Sequence, residues 1–376
     1  MRRSFVLVYV ALLAAACALA EETKSLHQVI PAAAGQTLVF ENLAGRVTVS
    51  PSADGSLTID GTVHAESREL LDAVSLDVSK DASRSVARVL YPVDRHETFH
   101  YPDPQRDGER GGFWKSFDYS QSKFEYQGRR VTVTSGNRRG VLLYTDITVR
   151  VPTGVSVELS NHVGRVESRD LTGSLRVSTS SGDVHIRDNG GAVRAATGSG
   201  DVRVDGGKAG VRVTTGSGDV EVLRATDVTA ETGSGDVHLV DVAGAVKART
   251  GSGGVALDRV DGSLELGTGS GDVTARRLTL KGKLDVETGS GDVQLAGDMA
   301  GLSQATIEVS SGSVSWRLSG APALDLRVST SSGSIDVDLP GLTFTKKKER
   351  RVEASSGAGG VPVRITTSSG DVSLRS

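Results

Sequence analysis

The sequence predicts an all-β protein whose body is a parallel β-solenoid of about 18-residue two-strand coils, preceded by an N-terminal β cap region. Three observations predict it. A Ser-Gly-Asp-Val motif returns at a nearly constant interval, apolar residues alternate within each interval, and the composition is rich in glycine and poor in aromatic side chains. With 46 glycines, 9 prolines and 15 aromatic residues in a chain of 376, large side chains cannot fill an ordinary globular core. Val, Ala, Leu and Thr must do so. Repeat arrays grow along one axis, so the length does not imply two or three separate domains.

The motif stands at 181–184, 199–202, 217–220, 234–237, 270–273, 290–293 and 369–372, with degenerate copies at 252–255, 311–314 and 332–335. Taking the Asp position as the marker, the series runs 183, 201, 219, 236, 254, 272, 292, 313 and 334, in steps of 17 to 21. Inside each period the apolar residues alternate, as in Val184 and Ile186, Val193 and Ala195, Val202 and Val204, and Val211 and Val213. Two strands per coil follow, with Val184 and Ile186 inside and His185 and Arg187 outside. At one turn Gly200 or Gly218 supplies a positive φ, and Asp201 or Asp219 can hydrogen-bond nearby backbone. The other turn uses Asp188-Asn189-Gly190-Gly191 or Asp205-Gly206-Gly207.

Coils stacked at about 4.8 Å make two facing parallel sheets, and neither sheet buries its inner face alone. Both ends of the stack therefore need caps. Thr197, Thr215, Thr232, Thr250, Thr268 and Thr288 share the parity of the inward residues, which predicts a hydroxyl ladder beside the glycine turn.

Outside the array, Met1-Arg2-Arg3, an apolar run over 5–16 and Ala18-Leu19-Ala20 have the three parts of a secretory signal peptide, residues 1–20. The run is short for a membrane span, and no later segment offers about 20 apolar residues. The only cysteine, Cys17, follows Leu13-Ala14-Ala15-Ala16 in a relaxed lipobox, so lipidation competes with ordinary cleavage. Ordinary cleavage leaves no thiol or disulfide chemistry. It also leaves 41 basic against 46 acidic side chains, a balance that argues against a nucleic-acid partner.

Residues 21–150 hold strand-like runs at 37–40, 47–50, 57–63 and 131–134 and read as the cap region, with 66–78 a short helix or a further strand. An aromatic insertion at 95–130 carries Phe99, Tyr101, Phe113, Trp114, Phe117, Tyr119, Phe124 and Tyr126, more than half of the chain's aromatics. It reads as a long loop whose rings contact a glycan or protein, or else cover the solenoid flank. The repeat domain spans 151–376 and is broken by a basic loop at 341–360 with Lys346, Lys347, Lys348, Arg350 and Arg351. That loop is either a solvated hairpin end or an anion contact.

With these residues in view, the chain resembles the DUF4097 family of β-strand-repeat proteins, which carries an adhesin label. The resemblance rests on Phe40-Glu41-Asn42-Leu43-Ala44-Gly45-Arg46-Val47-Thr48-Val49, on Val151-Pro152-Thr153-Gly154-Val155 and on Arg364-Ile365-Thr366-Thr367-Ser368-Ser369-Gly370-Asp371-Val372. It implies a β-solenoid on an exported or surface chain and supplies no catalytic residues.

The Asp ladder, Asp183, Asp201, Asp219, Asp236, Asp272 and Asp292, is the most site-like feature. Stacked carboxylates favour backbone donors or a cation such as Ca2+ between them. The one-per-coil Gly-Asp pattern differs from that of calcium β-rolls, which favours turn capping. Arg176, Arg194, Arg212 and Lys247 take matching outward positions interrupted by Thr229, and Glu265 and Asp285 continue the row with opposite sign. This is a polar exposed face or an anion-binding stripe. Catalysis needs a unique constellation, and repeated Asp with scattered His does not provide one. The expected function is therefore a non-catalytic envelope or surface scaffold without cofactor, located in the periplasm, at the outer membrane or outside the cell. The alternatives are an envelope-stress component and a calcium-stabilised secreted repeat protein.

Overall fold

The computed structural model describes residues 21–102, 121–135, 139–320, 322–357 and 360–376. The signal-peptide segment, Cys17, and the rings of Phe113, Trp114, Phe117 and Tyr119 lie outside the described residues.

The fold is the β-solenoid that the repeat predicts. Each coil contributes one strand to each of two parallel ladders. Leu175–Ser181, Val193–Ser199 and Val211–Ser217 pair in register in one ladder, and Val184–Asn189 and Val202–Gly207 pair in the other. The period-2 alternation places Val184, Ile186, Val193, Val202, Val204, Val211 and Val213 at 2% exposure or less. From Val220 onward the strands run unbroken around the second corner, as in Val220–Ser234, Val237–Ser252 and Val255–Ser270. Arg224, Asp241, Arg259 and Arg277 take positive φ there. That bend adds a short third side, with Ala225, Val242 and Val260 buried along it.

At the Gly-Asp corner two ladders run along the stack. Thr215 Oγ1 donates to the carbonyl of Gly200 at 3.2 Å, Thr232 to that of Gly218 at 3.0 Å and Thr250 to that of Gly235 at 2.9 Å. These hydroxyls are the buried row that the parity predicts, and each satisfies a carbonyl of the preceding coil. In the first coils Asn42 and Asn161 take the same place. Asn42 Nδ2 donates to Asn161 Oδ1 at 3.0 Å, and Asn161 Nδ2 to the Gly45 carbonyl at 2.9 Å.

The N-terminal region contributes a coil of its own. Thr37–Ala44 pairs parallel with Ser156–Val163, and Val47–Pro51 pairs parallel with Val166–Arg169. Beyond this coil one further strand on each side still pairs parallel, Arg84–Leu90 with Thr37–Ala44 and Val141–Val151 with Val47–Pro51, and the order then turns antiparallel. Ser75–Lys80 pairs with Arg84–Leu90 on one side, and Glu22–Ile30 pairs with Leu57–Ala65 on the other. The segment left open between helix and strand uses both, a helix Arg68–Ala73 followed by the strand Ser75–Lys80. Ser67 caps the helix, Leu70 and Leu71 are buried, and Lys24 Nζ donates to the carbonyls of Leu71 and Val74 at 3.1 and 2.8 Å.

At the C-terminal end spacing alone would stack the coil at 334 directly on the coil at 313. Instead Val361–Ser369 lies between Val293–Ser311 and Leu324–Ser332. Likewise Val372–Arg375 lies between Val314–Ser319 and Ile335–Asp338. The last coil in sequence is thus the penultimate coil in space. The outermost coil is covered on one ladder by the hairpin Thr343–Lys348 and Arg351–Ser355, whose second strand pairs antiparallel with Leu324–Ser332. The segment expected as a basic loop is that hairpin.

Candidate interaction surfaces

Long-loop character fails at both described ends of the aromatic insertion. Thr98–His100 and Gln121–Tyr126 are strands of a small sheet with Arg129–Thr134, attached to Val141–Val151. Phe99 is 0% exposed, Tyr126 1% and Tyr101 4%. Tyr91 meets Phe99 and Tyr126 edge-on, each at 6.0 Å between centroids, and Tyr126 Oη donates to the Val89 carbonyl at 2.6 Å. Phe124 stacks on His162 at 4.4 Å, and the Ser122 hydroxyl meets that of Ser181 at 2.6 Å. These contacts fasten the small sheet to the first coils. Among the described aromatics of the insertion, only half-buried Phe124 keeps surface for an outside contact.

The Asp ladder runs along the other side of the glycine turn. The amide of Asp219 donates to Asp201 Oδ1 at 2.8 Å, that of Asp236 to Asp219 and that of Gly254 to Asp236, both at 2.8 Å. The pattern resumes with Asp292 on Asp272 and Ser313 on Asp292, again at 2.8 Å. At the swapped end Ser334 donates to Asp371 Oδ1 at 2.8 Å. Each carboxylate thus gives one oxygen to the amide of the next coil. Among the described residues, no three His, Cys, Asp or Glu side chains converge as a metal-binding group.

Asp201 is the carboxylate of this row most enclosed by its neighbours, 5% exposed. Burial pushes its pKa up to about 6, opposed by the Asp219 amide and reinforced by the charges of Asp183 and Asp219. A folded-state pKa above the unfolded value favours the protonated form. Its stabilising effect is full below about pH 4 and is lost as pH rises through about 6. Asp201→Asn keeps the acceptor for Asp219 and removes the charge. It is expected to raise stability at pH 7 by about 2 kcal/mol, with the gain vanishing near pH 4. Denaturant titrations of both proteins at the two pH values check this; an equal difference at both would count against it.

The arginine stripe lies where the spacing places it. Arg176, Arg194 and Arg212 occupy consecutive in-register positions on the outer face of one ladder. Thr229, Lys247, Glu265 and Asp285 continue the row. On the opposite ladder, Glu167, His185 and Arg203 form a second outward row, with Arg169, Arg187 and Asp205 beside it. These six line an open groove of about 440 Å3. Burial, then the Arg165 charge, holds the His185 pKa below the ordinary histidine value. The sequence reading did not single out this groove. Its signal is the 18-residue offset between Glu167, His185 and Arg203, which only alignment of the strands as neighbours exposes.

In the C-terminal hairpin, Glu353 contacts Arg351 at 2.7 Å and Lys346 at 3.7 Å, and Lys347 sits over the Phe344 ring at 4.8 Å. Lys346, Lys347 and Lys348 line the outermost edge strand, where lysine discourages pairing with a further strand.

Among curated proteins, no relative matches the chain. Several solved structures are similar to the chain, among them the following three. A "putative cell adhesion protein" of Clostridium sporogenes is 10% identical over 94% of this chain and 99% of its own, with a TM-score of 0.23. A "putative adhesin" of Bacteroides fragilis is 9% identical over 93% and 97%, with a TM-score of 0.28. A "putative lipid binding protein" of Parabacteroides distasonis is 10% identical over 79% and 94%, with a TM-score of 0.28. The Toastrack DUF4097 family model matches residues 113–375.

Proposed function

The chain belongs to the Toastrack DUF4097 family, and from that premise we propose that it is an exported, non-catalytic envelope or cell-surface protein. In this reading the adhesin-like β-solenoid acts as a rigid interaction scaffold, without a cofactor. One observation carries it: in each coil the inward residues and the turn ladders serve stacking, while the outward residues form long in-register rows available to a partner. Among the described residues no helix is long and apolar enough to cross a membrane.

Among the described residues, Ser180, His162 and Glu41 stand in the order of a nucleophile–base–acid row. The Ser180 hydroxyl lies 3.5 Å from His162 Nδ1, and His162 Nε2 lies 3.4 Å from Glu41. Both contacts are long, Phe124 covers the imidazole face, and Arg88 is paired with the carboxylate. The His162 hydrogen bond, opposed by burial and helped by Arg88, keeps Glu41 below the usual carboxylate range. This is an ion-paired seam beneath the small sheet.

Cell fractionation, together with binding of the purified mature chain to isolated envelopes, tests the scaffold reading. The expected result is an envelope or external location and saturable binding that heat-unfolded chain lacks. An envelope location without binding would favour the envelope-stress role. A cytoplasmic location would end both.

A further inference from the structure

We propose that Arg176, Arg194 and Arg212 form a binding site for a linear acidic polysaccharide lying along the stack, one acidic sugar per coil. The inference rests on the scaffold reading and names its ligand class.

The three arginines are register partners on adjacent parallel strands, so their Cα atoms repeat at about 4.8 Å. All three are exposed, and none forms an ion pair or side-chain hydrogen bond among the described residues. The acids of the same row are engaged elsewhere. Glu158, next in the row, pairs with Arg84 at 3.1 Å. At the far end Glu265 is held by Lys247 at 3.0 Å and Arg249 at 2.7 Å, and Asp285 by Lys283 at 3.0 Å. These partners keep Glu265 below the usual carboxylate range, the Lys247 hydrogen bond first and that of Arg249 next.

Three unneutralised guanidinium groups aligned on one face repel one another, and the fold tolerates this because the solvent screens them. A carboxylate beside each would remove the repulsion and form paired N–H···O contacts, for which the planar guanidinium is suited. The repeat of the column fixes what delivers those carboxylates. A strand-to-strand spacing is close to the length of one sugar ring in an extended chain, so a polyuronate lying along the column places one acidic sugar at each coil without bending. The neighbouring outward positions are Ser178, Ala196 and Thr214, small residues that leave the face flat enough for such a chain to lie on it.

An anionic membrane would also meet the charge, but membrane docking draws on apolar side chains inserted between lipids. The large exposed hydrophobic residues among those described, Val29 and Phe344, lie in the first strand and the C-terminal hairpin and not on this face.

The test compares polygalacturonate with neutral pullulan as ligands of the mature chain, alongside phosphatidylglycerol vesicles and isolated envelopes. Two triple variants are measured: Arg176→Gln with Arg194→Gln and Arg212→Gln, and, as a charge-matched control on the opposite ladder, Arg187→Gln with Arg276→Gln and Arg317→Gln. Circular dichroism verifies that both fold. The column variant is expected to bind polygalacturonate about 30-fold more weakly, three contacts each worth about threefold, and the control less than about threefold more weakly. Binding by the wild type should fall as salt rises. Polygalacturonate binding no better than pullulan, equal loss in both variants, or capture by vesicles alone overturns the proposal. If the wild-type chain still binds isolated envelopes while polygalacturonate fails, the scaffold reading stands and this ligand falls. Failure of both removes both.

Discussion

Removing residues 361–376 is expected to unfold the C-terminal end of the stack and leave the remainder prone to association. The coil they form is internal. Val363 is matched between Ala305 and Leu326, Ile365 between Ile307 and Val328, and Leu374 between Trp316 and Val337. Val363, Ile365, Val372 and Leu374 are each 2% exposed or less. Burial of four such side chains contributes about 6–12 kcal/mol, comparable to the whole stability of an ordinary domain. Without them, residues 324–338 and the hairpin have no parallel neighbour. The strands Val293–Ser311 and Val314–Ser319 then present an open edge. Hydrogen exchange should show lost protection over 324–355, and size-exclusion chromatography should show oligomers. A monomeric truncated chain with native protection of 324–338 would refute this account of the end cap.

Gly218→Ala is expected to be strongly destabilising, as a methyl at any of the closely stacked repeat-turn glycines would be. A Cβ at Gly218 would sit 2.1 Å from the Gly200 carbonyl oxygen and 2.6 Å from its carbon, at a φ of +148°. The obstacle is backbone held by ladders on both sides, so relief requires opening the stack. Gly210→Ala separates the two effects, since Gly210 also has a positive φ, +86°, but its Cβ would meet nothing nearer than 3.9 Å. Backbone strain alone predicts a loss of about 1 kcal/mol at Gly210. Strain plus collision predicts about 3 kcal/mol or more at Gly218. Denaturant unfolding with exchange measured coil by coil reports the difference, since a stack of this kind need not unfold in one step. Equal losses would mean that conformation, and not backbone contact, selects glycine there.

The contrast explains why the TGSG turn was readable. Gly200 and Gly218 are required by positive φ and close stacking, the inward Thr by a carbonyl in the preceding coil, and the Asp by an amide in the next. Each requirement recurs once per coil, so it leaves a periodic trace in the sequence. Inward and outward parity is equally local, because a strand has a strict two-residue alternation. That is why the Arg176, Arg194 and Arg212 row could be aligned from spacing alone. What spacing does not carry is which neighbours neutralise a row. Glu158 and Glu265 are near in register, yet their partners Arg84, Lys247 and Arg249 come partly from other segments.

The repeat by itself determined the two-strand coil, its core residues and the chemistry of its Gly-Asp corner, since each of these is set within one period and its copies. Tertiary structure decided what has no period. Residues 37–51 became a coil because their ladders match Ser156–Val163 and Val166–Arg169, and the described ends of the aromatic insertion became a packed seam because Tyr91 and His162 receive their rings. The order of the last two coils was decided in the same way. Ser332-Gly333-Ser334-Ile335 and Ser369-Gly370-Asp371-Val372 are equivalent as local turns. The coil whose Val372 and Leu374 are buried took the inner place, and the coil tied to the lysine-rich hairpin, with Asp336 and Asp338 exposed, became the outer face. An end of a stack must meet water on one side, and only the assembled chain determines which coil can.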